Sequence, residues 1–238
     1  TDWPGNNIQY WRANRDFDPD APYGLDGRWR WQVYDMDFGF GLYYNFVQGR
    51  HEGPAHNTLR FALNPHGSGW PNPAWSTFLF RKINENEDFR KYFAIRFADL
   101  LNTTFREERV TAQLDSFDRK YKAEIPEHSL RWRKPSNIER YNSIVDVMRD
   151  FGQQRPYYVR QHLAEEYGLG PTARLNLQIL NPEQGSVRVN TINTGRADKE
   201  WSGIYFEGME MELEAVPAPG YRFSHWKGVP GIFQKTVN

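Results

Sequence analysis

The 238-residue chain has no cysteine, which excludes disulfide staples and thiolate metal sites and suits an exported protein that avoids stray oxidation. Neither sign of charge is in excess. Thirty basic residues stand against 30 acidic ones, so no global field draws in nucleic acid or an anionic membrane surface. No apolar run reaches the length of a membrane span. An initiating Met and an apolar leader are also missing, and the chain reads as a piece of a longer protein. Aromatic residues, in contrast, make up 16% of the sequence, and with 39% hydrophobic content they can build the core of one large or two modest domains.

The most informative stretch is Trp29 to Gly41. Trp29, Trp31 and Val33 alternate with Arg30, Gln32 and Tyr34, the period of a strand with one face buried. The strand runs into Asp35 and Asp37, which share a side if the extended geometry continues. Gly39 then permits unusual backbone angles, so a hard cation or a phosphate could be approached closely. The alternative is a turn with both aspartates solvated. Ile8-Gln9-Tyr10-Trp11 can pair with residues 29–33, leaving the Asp- and Pro-rich stretch 16–20 at the hairpin tip. That pairing puts Asn7 and Asp35 at one end of the hairpin, where a metal could bridge them. Asp2 and Asn7 have the spacing D-x-x-x-x-N and precede Asp37-Phe38-Gly39, the order of a protein-kinase catalytic loop and its metal-binding D-F-G. In that chemistry one carboxylate orients or deprotonates the attacking hydroxyl, while an Asn and a second carboxylate hold the Mg²⁺ that neutralises the polyphosphate.

Asp2-Trp3-Pro4-Gly5-Asn6-Asn7, Trp11-Arg12, Gly27-Arg28-Trp29-Arg30-Trp31, Asp35-Met36-Asp37-Phe38-Gly39-Phe40-Gly41 and the stretch Pro65 to Thr77 together resemble the CotH kinase family of atypical kinases, most closely its secreted bacterial forms. The resemblance covers roughly residues 1–168. It implies ATP and Mg²⁺, a protein Ser/Thr substrate, Asp2 as the catalytic carboxylate, and Asn7 with Asp37 or Asp35 as metal ligands. Asp37 is preferred because it carries the Phe-Gly. The two aspartates stand farther apart than in standard kinases. The glycine-rich cover and phosphate-binding Lys, which lie upstream of a catalytic loop, are expected in an N-terminal lobe of the same protein, so the fragment should be inactive alone.

Residues 43–75 show little periodicity and read as a long ordered loop or flap anchored by Trp70 and Trp75. His51, His56 and His66 match no metal-ligand spacing and are expected to be solvated or hydrogen-bonded. Helices follow. One begins near Ser76, and a second is capped by Asn86 and runs to Leu101. Thr104 with Glu107 and Ser136 with Glu139 form capping-box patterns for helices to about Tyr121 and about Phe151. A last helix, Tyr157 to Tyr167, starts near Pro156 and stops at Gly168 and Gly170. Arg131, Arg133 and Lys134 around Trp132 suit a phosphate contact or, as the favoured reading, a solvated turn.

After Pro171 the period becomes two, with turns at 181–185, 207–208 and 217–220. The stretches Gly208 to Pro217 and Pro219 to Trp226 resemble the InlB-type bacterial B-repeat, which implies a secreted or cell-surface spacer; Tyr221, Phe223 and Trp226 are expected in its core. The expected fold class is α+β: a kinase-like C-lobe over residues 1–168, made of a β-hairpin with its catalytic loop plus a helical bundle, followed by a small all-β module over 169–238. The competing function is a non-catalytic extracellular adhesion or carbohydrate-binding scaffold, suggested by nine tryptophans. A carboxylate-pair glycosidase is disfavoured, because Asp35 and Asp37 stand too near each other to flank a sugar from opposite faces.

Overall fold

The structure, a computed structural model, describes residues 3–36, 39–40, 53–66, 69–195 and 199–228, with the backbone of 236–237. In chain order its elements are β1 (Ile8–Trp11), β2 (Arg30–Val33), α1 (Thr58–Leu63), α2 (Phe78–Ile83), α3 (Glu87–Leu101), α4 (Glu107–Tyr121), α5 (Ile125–Trp132) and α6 (Ile138–Tyr167). Strands β3 (Thr172–Gln178), β4 (Gly185–Val189), β5 (Ile192–Asn193), β6 (Glu200–Phe206), β7 (Leu213–Pro217) and β8 (Thr236–Val237) follow. The class is α+β, with a helical part followed by a small all-β part. The chain forms two compact units that interleave along the sequence, Thr1–Glu85 with Lys122–Phe151 and Asn86–Tyr121 with Gly152–Asn238.

In the first unit β1 and β2 pair antiparallel, Ile8 opposite Val33 and Trp11 opposite Arg30. The expected buried face does not form. Trp29 is 52% and Trp31 58% exposed, and Arg30 is the one half-buried residue of β2. A ribbon of two strands cannot bury a face without a covering layer, so side-chain pairing takes over that task. Arg30 donates from both terminal nitrogens to the Asp26 carboxylate, at 2.7 and 2.8 Å. Its guanidinium also lies over the rings of Tyr23 and Trp11, 4.4 and 5.5 Å from their centroids. Arg12 stacks likewise on Trp29 and Arg28 on Phe17. Gly27 next to Asp26 has φ +71°, and a Cβ there would come within 2.7 Å of the Asp16 carbonyl oxygen, so only glycine fits that turn.

The stretch read as a loop contains α1, capped by the Asn57 side chain, which accepts from the Arg60 N–H at 2.8 Å. Its anchor is not the two tryptophans, which are exposed, but Asn72, 1% exposed. The Asn72 amide donates to the Phe61 carbonyl at 2.5 Å and accepts from the Ser76 hydroxyl at 2.9 Å. An amide can satisfy buried backbone groups as an indole cannot, which is why the polar residue goes inside. Helix α5 was missed as well. Pro126 in its first turn starts it, and Arg133, in the left-handed region, ends it with Arg131, Arg133 and Lys134 exposed.

Two helix starts fall later than the capping boxes suggested. Helix α4 begins at Glu107 itself, and α6 is capped by Asn137, which accepts from the Arg140 N–H at 2.9 Å. Helix α6 is also one element of 30 residues with Pro156 inside it, where two helices were expected. A proline ring crowds the carbonyl of the residue four positions earlier, and that residue is Gly152. A Cβ on Gly152 would come within 2.9 Å of the Val110 side chain on α4. Gly168, φ +63°, closes α6, and the Leu169 N–H returns to the Ala164 carbonyl at 3.0 Å.

In the second unit β3 pairs with β6, and β5-β4-β7-β8 form a four-stranded sheet. The aromatic residues expected in its core lie elsewhere: Tyr221 is exposed, and Phe223 and Trp226 are half-buried against each other at 5.3 Å. Val187, Val189, Tyr205, Phe206, Ala215 and Ala218 are buried instead. This is possible because helix α3 packs on β6 and supplies cover that a lone module would lack. The junction is polar. Asp99 of α3, 0% exposed, accepts from Thr191 N–H at 3.0 Å, Thr191 hydroxyl at 2.6 Å, Tyr205 hydroxyl at 2.8 Å and Asn190 amide at 3.3 Å. One turn on, Asn102 pairs with both backbone groups of Ile204, at 2.9 and 3.0 Å. Burial, followed by the Asp99 charge, pushes the Tyr205 phenol well above its ordinary value, so it stays a donor.

Asp99→Ala should cost about 2–4 kcal/mol of unfolding free energy, since buried donors lose their acceptor. Urea unfolding followed by tryptophan fluorescence measures it. The hydrogen bond from Arg30 holds the Asp26 carboxyl down at about 2. A depressed carboxylate contributes fully above its unfolded value near 4 and loses that contribution as pH falls toward 2. A ¹³C carboxyl titration should show the Asp26 midpoint near 2, and Arg30→Met should return it to the ordinary range.

Candidate functional site

The end of the hairpin is built from two left-handed residues. Asn7 has φ +58° and Asp35 φ +54°, a region that Asn and Asp enter more readily than other non-glycine residues. Asn7 turns the chain immediately before Ile8 and Asp35 turns it one residue past Tyr34, beyond the last pair, Ile8 with Val33. The Tyr34 N–H donates to the Asn7 carbonyl at 3.0 Å, and the Asn7 amide donates to Asp35 Oδ2 at 3.1 Å. Asn7 is 3% exposed, whereas Asp35 is exposed. The pair therefore has one fixed member and one facing solvent.

The left-handed turn at Asp35 ends the extended geometry, so the two-residue rule that would put Asp35 and Asp37 on one side does not apply. The unusual angles also fall on Asp35 and Phe40, φ +54°, rather than on Gly39. Gly39 closes a turn in which its N–H donates to the Met36 carbonyl at 2.9 Å. Phe40 packs on Phe151, with ring centroids 5.6 Å apart. Asp2 and Asp37, read as the catalytic carboxylate and the preferred metal ligand, lie outside the described residues, as does His51.

The loop leading into Asn7 is clamped from the far side. The Gly5 N–H donates to the Pro71 carbonyl at 2.8 Å, and a Cβ on Gly5 would lie 2.5 Å from that oxygen and 3.2 Å from the Trp70 ring. Only glycine permits that approach. The same loop is held by Asn72, so Asn72 reaches Asn7 through Pro71 and Gly5. Sequence reasoning missed this support; its one signal was an Asn enclosed by two prolines, Pro71-Asn72-Pro73.

The two described candidates suit a magnesium ion. Both offer oxygen, and magnesium takes one or two protein oxygens besides phosphate and water. Among the described residues no three His, Cys, Asp or Glu side chains cluster to hold a metal. His56 lies beside Phe61 instead, 5.7 Å between ring centroids. No described helix is long and apolar enough to cross a membrane.

No curated protein and no solved structure matches the chain. Two family profiles do. The divergent InlB B-repeat domain matches residues 185–238, the part that holds β4 to β8. The profile described as CotH kinase protein matches residues 1–159, two thirds of the chain and all of the hairpin, loop and clamp built above. On that match the chain belongs to the CotH kinase protein family.

Proposed function

We propose that this chain carries the catalytic-loop half of a secreted or cell-surface protein kinase, one that moves the γ-phosphate of ATP to a protein Ser or Thr hydroxyl. The observation that carries this reading is the Asn7–Asp35 hydrogen bond at 3.1 Å, which brings together two oxygen-bearing residues 28 positions apart. Asn7 and Asp35, with Asp37, would hold a magnesium ion that neutralises the polyphosphate. Asp2 would orient the attacking hydroxyl and accept its proton as the new oxygen–phosphorus bond forms and the bond to ADP breaks. Burial of Asn7 and the clamp on Gly5 support such a role, because a side chain that positions charge must not reorganise during reaction. A glycine-rich cover and a phosphate-binding Lys would come from an N-terminal lobe of the same protein. The functional division would fall at Gly168, with 1–168 as kinase lobe and 169–238 as β-module. A B-repeat at the chain's end is typical of surface and extracellular proteins and supports the location.

The second reading is an adhesion or carbohydrate-binding scaffold that keeps the kinase framework without catalysis. Trp31 at 58% and Trp75 at 67% exposure favour it, since exposed indoles stack on sugars.

Calorimetry with Mg²⁺ and ATP on the protein together with its upstream lobe should show binding that EDTA abolishes. Asp35→Ala and Asp37→Ala should each weaken it by about tenfold or more, the loss of a charge-assisted contact. Asp2→Asn should leave binding within about twofold and remove phosphate transfer to a protein acceptor. Nucleotide binding indifferent to Mg²⁺, or transfer that survives Asp2→Asn, would leave the scaffold reading.

A further inference from the structure

The register of the hairpin sorts its side chains onto two faces, because residues directly opposite each other share a face and neighbours along a strand alternate. One face holds Gln9, Trp11, Arg30 and Gln32. There the Arg30 guanidinium already serves Asp26, Trp11 and Tyr23. The other face holds Ile8 with Val33, then Tyr10 with Trp31, and at its far end Arg12 beside Trp29. The ring contacts agree with this sorting: Tyr10 meets Trp29 edge-on with centroids 5.5 Å apart, and the Arg12 guanidinium lies 5.2 Å over Trp29.

Tyr10, Trp29 and Trp31 are all exposed. Trp31 differs from Trp11 and Trp29 in carrying no stacked guanidinium, and among the described residues no ring lies over it. Arg12 forms no ion pair among the described residues, and it is the one charged side chain of this face. An open indole thus stands about 7 Å along the ribbon from a guanidinium without a carboxylate. A ligand that uses both must bring a flat apolar ring face and, one ring further on, a negative charge. Acidic saccharides have both, since a pyranose presents apolar C–H groups on its face and a uronic acid carries a carboxylate on each ring. A neutral sugar would leave Arg12 unused. A peptide would gain little from the same surface, because the hydrogen-bonding groups of both strands lie in the plane of the ribbon and not out of its face.

We infer that this face of the hairpin binds an acidic polysaccharide, one pyranose stacked on Trp31 beside Tyr10 and a neighbouring carboxylate paired with Arg12. The inference rests on the carbohydrate-binding reading, to which it gives a place and a ligand class, and it asks nothing of Asn7 and Asp35.

Tetragalacturonate serves as the acidic probe, cellotetraose as the neutral one and hexaglutamate as the acidic peptide, each titrated into the full chain by calorimetry and tryptophan fluorescence. Tetragalacturonate should bind saturably at millimolar concentration or below, more tightly than either other probe, and more weakly as salt is raised. Trp31→Ala should weaken it about tenfold or more and Arg12→Gln about three- to tenfold, the latter by loss of a charge-assisted contact. Gln32→Ala, on the opposite face, should leave it unchanged. Should Trp31→Ala disturb the far-UV circular dichroism, Arg12→Gln decides. Failure of tetragalacturonate to bind, equal or tighter binding of cellotetraose or hexaglutamate, or binding that Trp31→Ala and Arg12→Gln leave unaltered would each overturn the assignment. In the last case a loss on Trp75→Ala would keep the carbohydrate reading and move its site, whereas binding of neither sugar would remove that reading too.

Discussion

A two-stranded ribbon whose residues are mostly exposed must be held by something other than a buried face, and here the fork between Arg30 and Asp26 serves. The guanidinium donates from both terminal nitrogens to one carboxylate and lies over the rings of Tyr23 and Trp11. An ion pair of this geometry is worth more than an ordinary surface pair, because two parallel hydrogen bonds and the stacked rings fix the side chain together. Trp11, whose ring Arg30 covers, stands opposite it in the register, and the same register brings Asn7 and Asp35 to one end of the hairpin. The exposure of Trp11 and Trp29 is then a by-product: their rings serve as stacking partners for arginines rather than as core.

The second unit solves a related problem differently. A β-module of this size has too little interior to bury its own aromatics. Helix α3 covers it, and the joint is made by Asp99 and Asn102 rather than by an apolar stripe alone. A carboxylate with four donors is specific in a way that leucine packing is not, since each donor left unmet would be costly. Segments that family membership assigns to the kinase, residues 86–121 and 152–159, therefore share a compact unit with strands of the B-repeat.

Much of this was legible beforehand because it depends on neighbours in sequence. The Asn86 cap on the Phe89 N–H and the stop at Gly168 are short-range, the pairing of Ile8–Trp11 with Arg30–Val33 is between consecutive strands, and all are present. What misled was inference from a residue's usual habit. Pro156 did not start a helix: it lies inside α6, which runs from Ile138 to Tyr167. Trp70 and Trp75 did not anchor their loop, because Asn72 could satisfy carbonyl and hydroxyl partners there. Asp35 did not continue its strand, because a left-handed turn let the Asn7 amide reach its carboxylate.

By itself the sequence determined the family, the order of hairpin, helices and β-module, and the residue types available for chemistry, since motifs and periodicity are written in local spacing. Only the tertiary structure decided which polar residues meet. Beyond the hairpin, Asp99 meets Thr191 and Tyr205 across 92 and 106 positions, and hydrogen bonds over such distances arise only when packing has set backbone directions that no local pattern encodes.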